Sequence, residues 1–189
     1  MKVQQLARID PAIAARVGVL LFDESDDVNT LMAASVAALR ARNVVVAGLL
    51  QRFGDRLPSG KRAMWLDDVA TGQVIRLDQP RGPGAGSCTL DNSALAEAGC
   101  LLRKAASSGA QVIVVPRFGS VEAEGGGLRV EIAEAVLSGA VVIIAVRPSN
   151  LADLEQFLGG PGTVLLPSAA AIAGWAARSA GVAVADAAA

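Results

Sequence analysis

There is no histidine among the 189 residues of this chain. That absence removes His-based triads, imidazole general bases and most zinc or copper sites. Aromatic residues make up only 3% and tyrosine is missing altogether, which argues against base-stacking surfaces. No excess of either charge is present: 17 basic residues face 18 acidic ones, for a net charge of −1. Without a basic field, nucleic acid is not an expected partner. Cysteine is limited to Cys88 and Cys100; a disulfide between them would need a folded-back geometry, and a metal site would need more ligands. Long apolar runs are missing too. Met1 to Pro11 has no signal-peptide core, and no segment would span a bilayer without Gly, Pro or charge interruptions. The expected setting is cytoplasmic and reducing, with no membrane association.

What is there is a core. A 52% hydrophobic, 19% charged chain of this length fits one globular domain. Strand-like apolar runs alternate with helix-like segments. Val17–Phe22, Val44–Leu50, Val112–Val115, Val141–Val146 and Thr163–Leu166 read as strands. Val28–Arg42, Asp91–Ser107, Leu128–Leu137, Leu151–Leu158 and Ala169–Ala180 read as helices. Ala63–Val69 and Gln73–Leu77 read as a hairpin across Ala70-Thr71-Gly72. The pattern predicts an α/β three-layer sandwich, a mostly parallel sheet with a hairpin insertion, with ligands where strands end and helices begin. Its domain would run over 16–181, after an N-terminal extension (1–15) and before an alanine-rich tail (182–189).

The junction after the first strand is Phe22-Asp23-Glu24-Ser25-Asp26-Asp27. A nucleotide-binding α/β protein places glycines, a lysine and a Ser/Thr there to hold phosphates. This junction has four carboxylates, no glycine and no lysine. It could hold a divalent cation through oxygen ligands. Capping of the next helix by Ser25, Asp26 or Asp27 is the favoured reading.

Three further stretches carry candidate chemistry. Gly54 to Lys61 approaches the phosphate-loop pattern but has one residue too many, ends in Arg62 in place of Ser/Thr and lies between two strands; it reads as a surface turn. The loop from Arg81 to Asp91 could present N–H groups to an anion, with a helix dipole favouring a Cys88 thiolate. A connector with a packing cysteine is the favoured alternative. Pro116 to Gly127 follows the most buried strand, and here function is favoured. Arg117 could pair with an anion, and Glu122 or Glu124 could bind Mg²⁺ or orient a water. Its glycines carry an entropic cost that a plain connector would avoid.

Lys61 to Gln73 resembles the hairpin of the small thermophile-type P-loop nucleoside-triphosphatases. Val44–Arg52 resembles the strand before it, and Val112–Glu122 resembles their metal-binding strand and loop. A closer resemblance is to a bacterial domain-of-unknown-function family related to them and often associated with molybdate-transport genes. It rests on Val46-Ala47-Gly48-Leu49-Leu50-Gln51-Arg52, on Ser87-Cys88-Thr89-Leu90-Asp91, and on Arg117-Phe118-Gly119 with Glu122-Ala123-Glu124-Gly125. The resemblance implies a P-loop NTPase-like fold and nucleotide binding, and the gene association implies molybdate. Yet the phosphate loop has become acidic, and Pro116-Arg117 stands where the Mg²⁺-binding acid belongs. Ordinary hydrolysis is therefore not expected.

The leading expectation is a catalytically degenerate protein that binds an anionic small molecule, either a nucleotide with Mg²⁺ or an oxyanion such as molybdate. Asp23, Ser25, Arg52, Cys88, Arg117, Gly119 and Glu122 are its candidate ligand residues, with no resident metal. Asp23 or Glu24 could pair with Arg117 across the site. The enzyme alternative is a Mg-dependent triphosphatase using Glu122 or Glu124. A third reading is an oligomerising or regulatory module with contacts at Met1–Ala15 and around Trp175.

Overall fold

The computed structural model describes residues 11–57, 60, 62–78 and 91–182. The elements in order are α1 (Pro11–Ala14), β1 (Val17–Leu21), α2 (Val28–Arg40), β2 (Val46–Arg56), β3 (Arg62–Asp68), β4 (Val74–Arg76), α3 (Asn92–Ser107), β5 (Val112–Phe118), α4 (Ser120–Ala123), α5 (Arg129–Leu137), β6 (Val141–Val146), α6 (Leu151–Leu158), β7 (Thr163–Val164) and α7 (Ala169–Ser179). The seven strands form one sheet in the order β4-β3-β2-β5-β6-β1-β7. From β2 to β7 the neighbours are parallel, while β3 and β4 add an antiparallel hairpin at one edge.

Strand alternation builds the two cores. On β5, Ile113 and Val115 face one helical layer while Val112 and Val114 face the other. β6 divides likewise: Val142, Ile144 and Val146 against Val141, Ile143 and Ala145. The first core takes its helical half from α1, α3, α5 and α6, through residues such as Leu102, Ile132 and Leu154. The second takes it from α2 and α7, through Met32, Leu39, Ile172 and Ala176. This is the three-layer α/β arrangement expected of the sequence.

Several boundaries move, each for a local reason. β2 continues to Arg56 because β3 pairs with it antiparallel past the end of the buried run. β5 does not stop at Pro116 but runs through it to Phe118. A register shift between Val115 and Phe118 lets a residue without an N–H stay in the strand. β7 is only two residues long. Gly48 allows β2 and β5 to meet: its φ is +108°, and a Cβ there would lie 2.2 Å from the Val114 carbonyl oxygen.

Of the segment expected as an N-terminal extension, residues 11–14 form α1, with Ala14 fully buried and Ile13 packed on the core. Trp175 is partly buried. It packs on the second core, and its ring would lie 2.5 Å from a Cβ placed at Gly18. Residues 1–10 and 183–189, in the extension and the tail, lie outside the described residues.

Candidate functional site

At the carboxyl ends of the parallel strands, the turn after β1 comes first. The Asp23 carboxylate accepts hydrogen bonds from the Ser25 hydroxyl at 2.6 Å and the Ser25 N–H at 2.8 Å. Those bonds hold its pKa below the ordinary carboxylate value, the hydroxyl bond contributing most. Asp26 accepts from the Asp23 N–H at 2.8 Å. Asp27 is the N-cap of α2, accepting from the Thr30 N–H at 3.1 Å. Hydrogen bonding from Thr30, helped by the charge of Arg62, holds Asp27 below its ordinary value. Capping therefore occupies Asp27, and Ser25 and Asp23 satisfy each other. Glu24 alone reaches outward, to Arg147 at 3.4 Å. The pairing expected between this turn and Arg117 is thus made by Arg147, which directly follows β6.

Arg117, in the bulged end of β5, has its guanidinium 4.8 Å from the Phe22 ring centroid and 5.8 Å from that of Phe53. Its Nε is buried and has no hydrogen-bond partner. Burial, and then the nearby positive charge of Arg147, push its pKa down. Arg147 lies 5.9 Å from the Phe22 ring centroid, and Arg62 lies 5.8 Å from that of Phe53. Arg62, Phe53, Arg117, Phe22 and Arg147 therefore form an alternating chain of guanidinium groups and rings along one edge of the sheet. Cation–π contact partly compensates the crowding of like charges. A bridging anion would do so far better.

The other expected site residues have different commitments. Arg52 donates from Nε to both Asp67 carboxylate oxygens, at 3.0 and 2.8 Å, and stacks on Trp65. Its charge is already matched within the hairpin. Glu122 accepts from the Gly119 N–H at 3.0 Å and from the Leu128 N–H at 3.2 Å, so it ties the start of α4 to the start of α5. The glycine run has a structural cause: φ is +98° at Gly125 and +59° at Gly127, and a Cβ at Gly127 would lie 2.0 Å from a Glu122 oxygen. Gly119 has extended backbone geometry and serves as the N-cap of α4. Glu124 is exposed at the other end of that short helix. Cys88 lies outside the described residues, as do all of residues 79–90. Of the stretch from Gly54 to Lys61, Gly54, Asp55 and Arg56 belong to β2, and residues 58, 59 and 61 lie outside the described residues. Among the described residues, no three His, Cys, Asp or Glu side chains are grouped to hold a metal ion.

Comparison with known proteins fits this architecture. A family model described as a protein of unknown function, DUF2478, matches residues 17–175. The chain belongs to that family. A molybdenum import ATP-binding protein, ModC 2, from Bradyrhizobium diazoefficiens is 35% identical over 172 residues. The match takes in 89% of this chain but only 18% of that relative's length. Among solved structures, a human cancer-related nucleoside triphosphatase superposes with a TM-score of 0.55 at 17% identity, over 79% of this chain and 88% of that one. The DUF2478 chain thus has a P-loop NTPase-like α/β fold. Among its described residues, no helix is long and apolar enough to cross a membrane.

Sequence reasoning placed Arg117 and the acidic turn at the strand ends, and the structure brings them to one edge. It missed Arg147, Arg62, Phe22 and Phe53 as participants. Arg147 had a readable signal, because it immediately follows the clean strand Val141–Val146, at the position where α/β ligands bind. Phe53 had none, since its approach to Arg117 depends on β2 extending beyond its apolar run.

Proposed function

We propose that this DUF2478 protein is a non-hydrolysing, P-loop NTPase-like binding protein for an anionic small molecule held at the carboxyl edge of the sheet. The ligand's negative oxygens bridge Arg117 and Arg147. They belong either to the phosphates of a nucleotide or to a free tetrahedral oxyanion such as molybdate. The observation that carries this reading is the buried, unpartnered Nε of Arg117 beside a second guanidinium. A protein gains nothing in stability from an unpaired, partly desolvated cation next to a like charge, so its place at a strand end fits a ligand contact. The fold of the human nucleoside triphosphatase and the ATP-binding, molybdenum-import name of the bacterial relative support the ligand class.

Hydrolysis is poorly supported. The turn after β1 has carboxylates where phosphate would need N–H groups and a lysine, and Glu122 is engaged by two backbone N–H groups. An Mg²⁺-dependent reaction through Glu122 would first have to break that link.

Equilibrium dialysis against ATP, GTP, molybdate and inorganic phosphate tests the reading, with Arg117→Met as the control. Retention of at least one of these anions, weakened about tenfold or more by Arg117→Met, is the expected result. Retention of none, or retention unchanged by Arg117→Met, overturns it. So does Mg²⁺-dependent release of phosphate from a nucleoside triphosphate that Glu122→Gln abolishes.

A further inference from the structure

The four carboxylates after β1 are not equivalent. Asp23, Asp26 and Asp27 accept hydrogen bonds within the turn or at the start of α2. Glu24 is the exception. Its side chain is 85% exposed and its recorded partner is Arg147, 123 residues away in sequence, at 3.4 Å. Arg147 in turn shares the Phe22 ring with Arg117, whose buried Nε has no partner. Two cations therefore meet at this edge, and the only carboxylate paired with either among the described residues is Glu24.

We propose that Glu24 is a specificity-determining residue, an internal competitor for Arg147 that an external anion has to outcompete in order to bridge Arg147 to Arg117. The proposal rests on the anion site described above and deepens it. An anion that engaged Arg147 alone would only exchange one ion pair for another, with little net gain. An anion with enough charge and span to engage both guanidinium groups also satisfies Arg117, and that second contact drives the exchange. Glu24 thus selects against anions that engage Arg147 alone and in favour of oxyanions that bridge both guanidinium groups. The competition is soft, because an exposed ion pair at this distance is weak. The residue tunes affinity without closing the site.

The test is a double-mutant cycle read by titration calorimetry, with inorganic phosphate and molybdate as probes. Glu24→Gln should tighten binding about two- to fivefold, the scale of one exposed ion pair. In an Arg147→Ala background, the same substitution should give no gain, because nothing is left to compete for. Glu124→Gln, which removes a charge from α4, should leave affinity unchanged in either background. Unaltered affinity in Glu24→Gln overturns the proposal. So does an equal gain with Arg147 absent, which would indicate general repulsion by an acidic turn. If the wild-type protein binds none of phosphate, molybdate or nucleotide, the anion site itself fails. If it binds one of them through Arg117 but Glu24→Gln changes nothing, only the competitor role fails.

Discussion

At the residue scale, the anion contact proposed for Arg117 would set function against stability. Its guanidinium is partly desolvated, repelled by Arg147 and held by two phenyl rings. A base whose folded pKa is depressed destabilises the fold while it is protonated, as it is at neutral pH. Arg117→Met keeps the aliphatic packing and removes the charge, so the ligand-free variant should be more stable by about 1 kcal/mol. Chemical denaturation without added anion measures this, and the same variant should lose anion binding. A simple structural arginine would show the opposite sign. Glu122 makes the complementary case. Glu122→Gln leaves one of its two backbone N–H partners without a carboxylate acceptor, for a loss of about 1 kcal/mol. Anion affinity in that variant should be unchanged, whereas a metal-holding Glu122 would make binding and any turnover fall together.

At the element scale, the hairpin depends on Asp78. One of its carboxylate oxygens accepts from the Met64 N–H at 2.8 Å and the other from Arg76 at 2.9 Å. Burial pushes this carboxyl up, but the hydrogen bonds from Arg76 and the Met64 N–H outweigh it and hold the pKa below the ordinary 3.8. A depressed carboxyl pKa contributes stability that is complete above the unfolded value and lost as pH falls through the folded one. The hairpin should therefore loosen only below pH 3.8, a transition that Trp65 fluorescence can follow. Asp78→Ala should cost about 2–3 kcal/mol at neutral pH and flatten that acid transition. Gly48→Ala is the harsher change: the strained φ and the clash with Val114 should cost about 2–5 kcal/mol, seen as a lowered midpoint in urea.

The same elements show what the sequence made legible. Val141–Val146 and Leu151–Leu158 are readable to the residue, because a fully buried strand and a glycine-ended helix leave sharp marks. The bulge at Pro116 was hidden, since proline ordinarily ends a strand and nothing local records that the partner tolerates a shift. The glycine run looked functional on its entropic cost. At Gly127 the return of Glu122 onto Leu128 leaves no room for a side chain, a contact across six residues that no periodicity encodes. Arg147 had a readable place after β6, but its pairing with Glu24 and Phe22 had no local mark. Its role depends on β6 lying between β1 and β5, and strand order is a property of the whole sheet.

At the scale of the whole molecule, a P-loop NTPase-like sheet presents, at the edge where such folds bind ligands, an acidic turn facing two arginines. Nucleoside triphosphates incubated with Mg²⁺ and the protein should show no phosphate release above the protein-free rate in a malachite-green assay. A bound anion should instead stabilise the fold by about 2.7 kcal/mol at a hundred times its dissociation constant, read as a melting temperature that climbs with anion concentration.

The strand order has one more consequence. Phe22, Arg117 and Arg147 belong to β1, β5 and β6 or their ends, three parallel strands that only long crossover connections join. A one-residue slip of β6 against its neighbours would turn Arg147 to the opposite face and take it away from Phe22 and Glu24. An anion spanning the two arginines would therefore act as a register lock. It would bind the correctly threaded sheet and no slipped alternative, so saturation would report that the middle of the molecule had assembled in its one proper alignment.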